Sequence, residues 1–161
     1  LRITTKVVKK TLRNILKSLM LLRMAGTYRS SMKITLTLPY PPSVNNYWIA
    51  SGHRRFISKR GKEFKEYVED YCLKNKTPSF GVKEVRVTII LHPRSKILMD
   101  IDNCSKAILD SLQGIVYDDD QQVVQLLIQR GHLVKGGGCT ITVELYKPSM
   151  SLSVILPKVD G

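Results

Sequence analysis

The sequence predicts a two-layer α+β domain: a small mixed sheet covered by two helices, with the order strand, helix, strand, helix, strand, strand along the chain. Three observations carry this. Apolar residues alternate with period two in four short stretches, helical periodicity occupies two longer stretches between them, and 161 residues with 43% apolar content are enough for one domain with its own core.

Taken in order, Ile34, Leu36 and Leu38 alternate with Lys33, Thr35 and Thr37, giving a strand that stops at Pro39-Tyr40-Pro41-Pro42. A polar, aromatic loop is expected over 43–55, from Asn45-Asn46-Tyr47-Trp48 to His53-Arg54-Arg55. Ser58 is placed to cap a helix from Lys59 to Lys74, with Phe64, Val68, Tyr71 and Cys72 on its inner face. Val85, Val87, Ile89 and Leu91 mark a second strand, ended by Pro93. A second helix is expected from Asn103 to Leu112, with Ala107, Ile108 and Leu112 inward and Gly114 near its C-cap. Val123 to Gln129 and Thr140 to Leu145 read as strands, expected to pair as a hairpin around the turn Gly136-Gly137-Gly138. No uninterrupted apolar run is long enough to span a bilayer, so no membrane role is expected of this domain. Neither a phosphate-cradling glycine loop nor a Ser/His/Asp arrangement is visible.

The domain is expected over 32–148, preceded by a leader, 1–31, and followed by a tail, 149–161. The leader holds eight basic residues and no acid, with apolar residues at near-helical spacing from Ile3 to Met20. It reads either as a basic amphipathic helix for a membrane surface, a transit-like peptide or a nucleic-acid arm, or as sequence foreign to the native protein. Cys72, Cys104 and Cys139 form neither a disulfide framework nor a metal-type spacing, which fits a reducing cytoplasm.

Charge is segregated. The whole chain carries +13, and 33–96 holds thirteen Lys or Arg against five acids. Between Asp100 and Asp120 the sign reverses, with six aspartates against Lys106 alone. A basic protein attracts polyanions, whereas grouped carboxylates repel a phosphate backbone unless a divalent cation lies between. If 99–102 is extended, Asp100 and Asp102 project to one side, and Lys106 follows Asp102 by one helical turn. Asp118-Asp119-Asp120 returns after one helix and a tight turn. Carboxylates gathered in this way suit a hard cation such as Mg²⁺, and no Cys or His accompanies them to suggest zinc. Each piece also has an ordinary reading: Asp102 as a helix N-cap, Asp102 with Lys106 as a surface pair, Asp118 to Asp120 as a solvated turn.

Three blocks taken together resemble, in order and spacing, the RusA family of Holliday junction resolvases. They are Pro39-Tyr40-Pro41-Pro42-Ser43-Val44-Asn45-Asn46-Tyr47-Trp48, Asp100-Ile101-Asp102-Asn103-Cys104-Ser105-Lys106, and Asp119-Asp120-Gln121-Gln122-Val123. The resemblance runs over about 33–148. It implies a homodimeric, Mg²⁺-dependent endonuclease, with Mn²⁺ as an alternative ion, that nicks opposing strands of four-way DNA junctions in recombination and repair. A bacterial or phage-encoded cytoplasmic enzyme is expected. The resemblance further implies that Asp100, Asp102 and Asp120 are the metal-binding catalytic carboxylates and Lys106 the catalytic lysine. Asp119 matches the other half of the acidic pair and is a further candidate ligand, while Asp118 is extra. Some members carry a run of arginines before the first aspartate; here the segment is Arg94-Ser95-Lys96-Ile97-Leu98-Met99.

The basic residues Arg54, Arg55, Lys59, Arg60, Lys62 and Lys65, with Arg94 and Lys96 beside the acids, are expected to contact DNA phosphates without reading sequence. A solvated helix face is the alternative. Tyr47 and Trp48 are read either as platforms for unpaired bases at the branch point or as core or dimer-interface residues. A competing reading of the whole chain is a non-catalytic DNA- or RNA-binding module. That module has no use for aspartates gathered in one place.

Overall fold

In the computed structural model, residues 32–51, 54–96 and 100–148 are described. The expected leader and tail, and His53, lie outside them. Strand β1 (Lys33–Leu38) follows its alternation, burying Ile34, Leu36 and Leu38 and exposing the residues between. The expected loop over 43–55 is instead a one-turn helix, α1 (Val44–Tyr47), and a hairpin of β2 (Trp48–Ser51) and β3 (Arg54–Ile57). Local hydrogen bonding that apolar spacing does not register makes the difference. The Ser43 carbonyl accepts from the Tyr47 amide at 2.8 Å and its hydroxyl from Asn46 Nδ2 at 2.9 Å. Trp48 then pairs with Ile57 and Ile49 with Phe56, all four being residue types that favour strands.

Helix α2 (Lys59–Lys74) begins where the sequence places it. Ser58 Oγ accepts from the Gly61 amide at 3.0 Å and also donates to the Asn46 carbonyl, so one hydroxyl caps α2 and ties it to α1. Gly61 permits the contact that follows: a Cβ there would lie 2.7 Å from Ile57 Cγ2 and 2.8 Å from Tyr47 Cδ2. Tyr47 is wholly buried against this turn, so its ring belongs to the core and not to a DNA-facing surface. Trp48, half-buried, meets it edge-on with centroids 5.2 Å apart.

Strand β4 (Val85–His92) is followed by a 3₁₀ turn, Asp102–Cys104, and helix α3 (Ser105–Leu112), which buries Ala107, Ile108 and Leu112. A second 3₁₀ turn, Asp120–Gln122, leads into β5 (Val123–Arg130), and β6 (Gly138–Leu145) closes the domain. The sheet order is β1-β6-β4-β5, with β4 and β5 parallel and β6 antiparallel to both β1 and β4. The expected β5–β6 hairpin is therefore incorrect. Because α3 is a crossover, β5 returns parallel to β4, and the chain then passes over the end of β4. Hydrogen bonds hold it there, from the Gly131 amide to the Leu91 carbonyl at 2.8 Å and from the Val134 amide to the Pro93 carbonyl at 3.0 Å. This path delivers β6 into the slot between β1 and β4, where Cys139, Ile141 and Val143 are fully buried.

Helices α2 and α3 cover one face of the sheet. Phe64, Val68, Cys72, Ile108 and Leu112 join the inward residues of β1, β4 and β6 in a single core. The other face carries Thr35, Thr37, Thr88, Thr140 and Thr142. The two layers are those expected from the sequence.

Candidate active site

Asp100 and Asp102 sit where the chain enters the Asp102–Cys104 turn, both exposed, on a shallow depression shared with Ile128, Gln129 and Arg130 of β5. They do not reach it by extended-strand alternation, because Ile101 is helical, with φ −70° and ψ −26°. Nor is Asp102 a helix cap. Neither flank of the turn has a side-chain cap, and Asp102 contributes only its carbonyl, which accepts from Ser105 Oγ at 2.7 Å. Among the described residues neither carboxylate takes part in a hydrogen bond or ion pair. Among the described residues the two carboxylates on this depression serve no other group, and their hard oxygen donors are those a divalent cation takes.

Lys106 does not pair with Asp102. Its Nζ lies 2.8 Å from Asp110 Oδ1 and 2.9 Å from Asp120 Oδ2, bridging α3 and the second 3₁₀ turn. Hydrogen bonds to Asp110 first and Asp120 second hold the ammonium well above the ordinary lysine range, and Lys106 in turn pulls the Asp120 carboxyl below its ordinary value. Asp110, mostly buried, is the residue that charge reading passed over. Its spacing four after Lys106 was the available signal. With Asp120 turned to Lys106, the described residues contain no group of three Asp, Glu, His or Cys placed to hold an ion as they stand.

Asp119 is occupied structurally. Its Oδ1 accepts from the Gln121 amide at 2.9 Å and its Oδ2 from Gln113 Nε2 at 3.3 Å, while its own amide donates to Gln122 Oε1 at 2.7 Å. This is a capping box. Gln122 Nε2 also donates to the Gly81 and Lys83 carbonyls at 2.6 and 2.7 Å, pinning the acidic turn to the segment before β4. Of the triplet only Asp118 is fully at the surface, so the solvated-turn reading fits that residue alone.

Burial raises all three cysteine thiols, Cys104 to about 11 and Cys139 to about 12, which disfavours the thiolate and leaves oxygen and amine groups to carry the chemistry. Arg60 and Arg94 meet on one groove. Lys59 is exposed, with Glu63 only loosely near at 3.9 Å, and Lys62 and Lys96 are exposed as well, while Lys65 is half-buried. Arg54 and Arg55 belong to β3, but their side chains lie outside the described ones. Among the described residues no helix is long and apolar enough to cross a membrane.

The family model for endodeoxyribonuclease RusA matches residues 39–146, which takes in the proline-rich segment, both acidic blocks and the whole sheet beyond β1. The crossover junction endodeoxyribonuclease of Enterobacteria phage HK97 is 33% identical over 107 residues, covering 66% of this chain and 89% of that protein. The crossover junction endodeoxyribonucleases of Shigella sonnei and Escherichia coli K12 are 32% and 31% identical over 111 residues, each covering 68% of this chain and 92% of the relative. The chain belongs to the RusA family of endodeoxyribonucleases.

Proposed function

We propose that this chain is a divalent-metal-dependent crossover junction endodeoxyribonuclease, a Holliday junction resolvase that hydrolyses phosphodiester bonds in paired nicks. The observation that carries the reading is the pair Asp100 and Asp102, two exposed carboxylates without a partner among the described residues, on one depression and one helical turn before Lys106. Asp100, Asp102 and Asp120 would hold the ion, Mg²⁺ or Mn²⁺; when bound it supplies a water of lowered pKa and offsets charge on the scissile phosphate. Lys106 stays protonated and orients Asp120, and its third donor is available to an oxygen that gains charge as the bond breaks. Asp119 shapes the turn that presents Asp120. Lys59, Arg60, Arg94 and Lys96 contact phosphates and make binding strongly salt-dependent.

Two symmetric cuts require two sites, and the edge of β5, unpaired among the described residues, supports a C2 homodimer. Leu126 is in register with Val87 on the helix-covered side of the sheet, yet is 41% exposed, and Val124 and Leu127 beside it are also exposed. A second copy on this edge would place the two acidic depressions, each bordered by Ile128 to Arg130, close to the shared interface. The deciding experiment is cleavage of a four-way junction and of a linear duplex, with Mg²⁺ or EDTA. Paired nicks confined to the junction are expected. A gel shift without cleavage would identify a binding module, and general duplex degradation an unspecific nuclease.

A further inference from the structure

A groove with a volume of about 610 Å³ lies between the Pro39–Pro42 segment, the first half of α2 and the chain just after β4, and it has no part in the acidic site. That size falls within the roughly 300–1,000 Å³ of ligand-holding pockets. Its lining is aromatic and basic: Tyr40 and Tyr67 with Arg60 and Arg94, and Glu63 and Asn46 as polar acceptors. Tyr67 is 49% exposed although its ring stacks on Tyr71, centroids 6.5 Å apart and 24° between planes, so it is held in place and still accessible. Asn46 is oriented by its bond to Ser43 Oγ.

The glycine turn between β5 and β6 completes the wall. Gly136 lines the groove, and a Cβ on Gly137 would lie 3.2 Å from Tyr40 Cβ and 3.5 Å from Arg94 Cβ. Gly137 also has φ +76°, so the position both requires glycine and keeps Tyr40 and Arg94 uncovered. The groove adjoins the element that carries the acidic site: Cys104 Sγ donates to the Pro41 carbonyl at 3.7 Å, and Cys104 ends the turn that begins with Asp102.

Building on the junction-nuclease reading, we propose that this groove holds one unstacked nucleotide of the DNA strand that passes the acidic site. The base lies against Tyr40 and Tyr67, and the flanking phosphates sit on Arg60 and Arg94. Guanidinium groups match phosphate, aromatic faces accept any base, and the Glu63 carboxylate and Asn46 Oδ1 favour a base bearing an exocyclic amine over thymine. The groove is therefore a selectivity site separate from the acids that support hydrolysis.

The test places 2-aminopurine singly at each position around the branch of a four-way junction and adds the full chain in EDTA. Enhanced fluorescence is expected at one position. Tyr67→Ala should abolish it and weaken junction binding by roughly 5- to 150-fold, the range for loss of one base–aromatic stack. Arg60→Glu, at an exposed position, should do the same by removing the phosphate contact, and Glu63→Gln should flatten the preference against thymine at the corresponding position in binding competition. A wild-type signal that survives both Tyr67→Ala and Arg60→Glu, or no enhancement at any position, overturns the proposal. Because EDTA removes hydrolysis from the readout, the two readings fail separately. Junction nicking in Mg²⁺ without the variant-sensitive signal rejects only the groove, and the signal without nicking rejects only the nuclease.

Discussion

Replacing Lys106 by Met separates a catalytic cation from a structural one. The ammonium lies 2.8 Å from Asp110 and 2.9 Å from Asp120, and its side chain is 48% exposed. The Asp120 pair is screened and contributes about 0–1 kcal/mol, whereas Asp110, its side chain only 14% exposed, is left as a mostly buried carboxylate without this partner, which costs about 1–3 kcal/mol. Stability should therefore fall by about 1–3 kcal/mol, because Met keeps the aliphatic stem. Removing a donor aimed at charge developing in the transition state costs about 2.7–4 kcal/mol, or 10²–10³ in kcat. The variant should thus melt no more than about 15 °C below wild type, still bind the junction in EDTA, and cleave at least about 100-fold more slowly in a single-turnover assay at a temperature where it is folded. Cleavage within threefold of wild type refutes the role for Lys106. A large loss of thermal stability that parallels the loss of activity refutes the separation of the two roles.

Other outcomes follow from the same geometry. Asp102→Asn should eliminate nicking while leaving thermal stability unchanged and junction binding in EDTA undiminished, since its carboxylate neither caps nor pairs among the described residues; junction gels and a melting curve check both. Tyr47→Ala should cost about 3–5 kcal/mol in urea unfolding, the range for a large aromatic leaving a core. Leu126→Glu should shift the protein to monomer in sedimentation at micromolar concentration without altering its circular dichroism, because the residue is partly exposed on an edge strand. The stability difference between wild type and Lys106→Met should depend on pH with a defined sign. Asp120, lowered, contributes above its unfolded pKa near 3.9 and is lost as pH falls through its folded value, whereas Lys106, raised, contributes below about 10.4 and is lost as pH rises through its own. Melting temperatures should therefore show a flat difference from about pH 5 to 9 that shrinks at the acidic end.

What the sequence made legible follows physical range. The α2 cap at Ser58, the buried face Phe64, Val68 and Cys72, and the β1 alternation are local, and each was read correctly. The β5–β6 hairpin was misread because alternation reports that a strand has a buried face, not which strand lies beside it. A 131–137 connection that hydrogen-bonds across β4 has the same turn composition as a hairpin loop. The short α1 and the β2–β3 hairpin were missed because they rest on Ser43, Asn46 and Ser58 hydroxyl and amide bonds. In the site, grouped aspartates drew attention to Asp100 and Asp102, which the structure leaves exposed on one depression. Their charge could not tell that Asp119 would spend its oxygens on a capping box, or that Asp110 would share Lys106.

The choice between a nuclease and a passive binder turns on that same division of the acids. Asp119 and Asp110 are accounted for by the fold, one as a cap and the other as partner to Lys106, so their presence on a basic protein needs no further explanation. Asp100 and Asp102 are not accounted for. They are exposed, unpaired among the described residues, and next to Arg130 on a surface that a passive DNA binder would gain from keeping positive. A carboxylate pair in that position weakens phosphate binding in metal-free buffer and strengthens it once a divalent cation is present. Junction affinity of the uncut complex should accordingly rise on adding Ca²⁺, an ion with the same preference for oxygen ligands. That increase should disappear in the Asp100→Asn, Asp102→Asn double variant, whose metal-free affinity should exceed that of wild type. A passive binder would show neither change, because for it the two aspartates would act only as fixed negative charges.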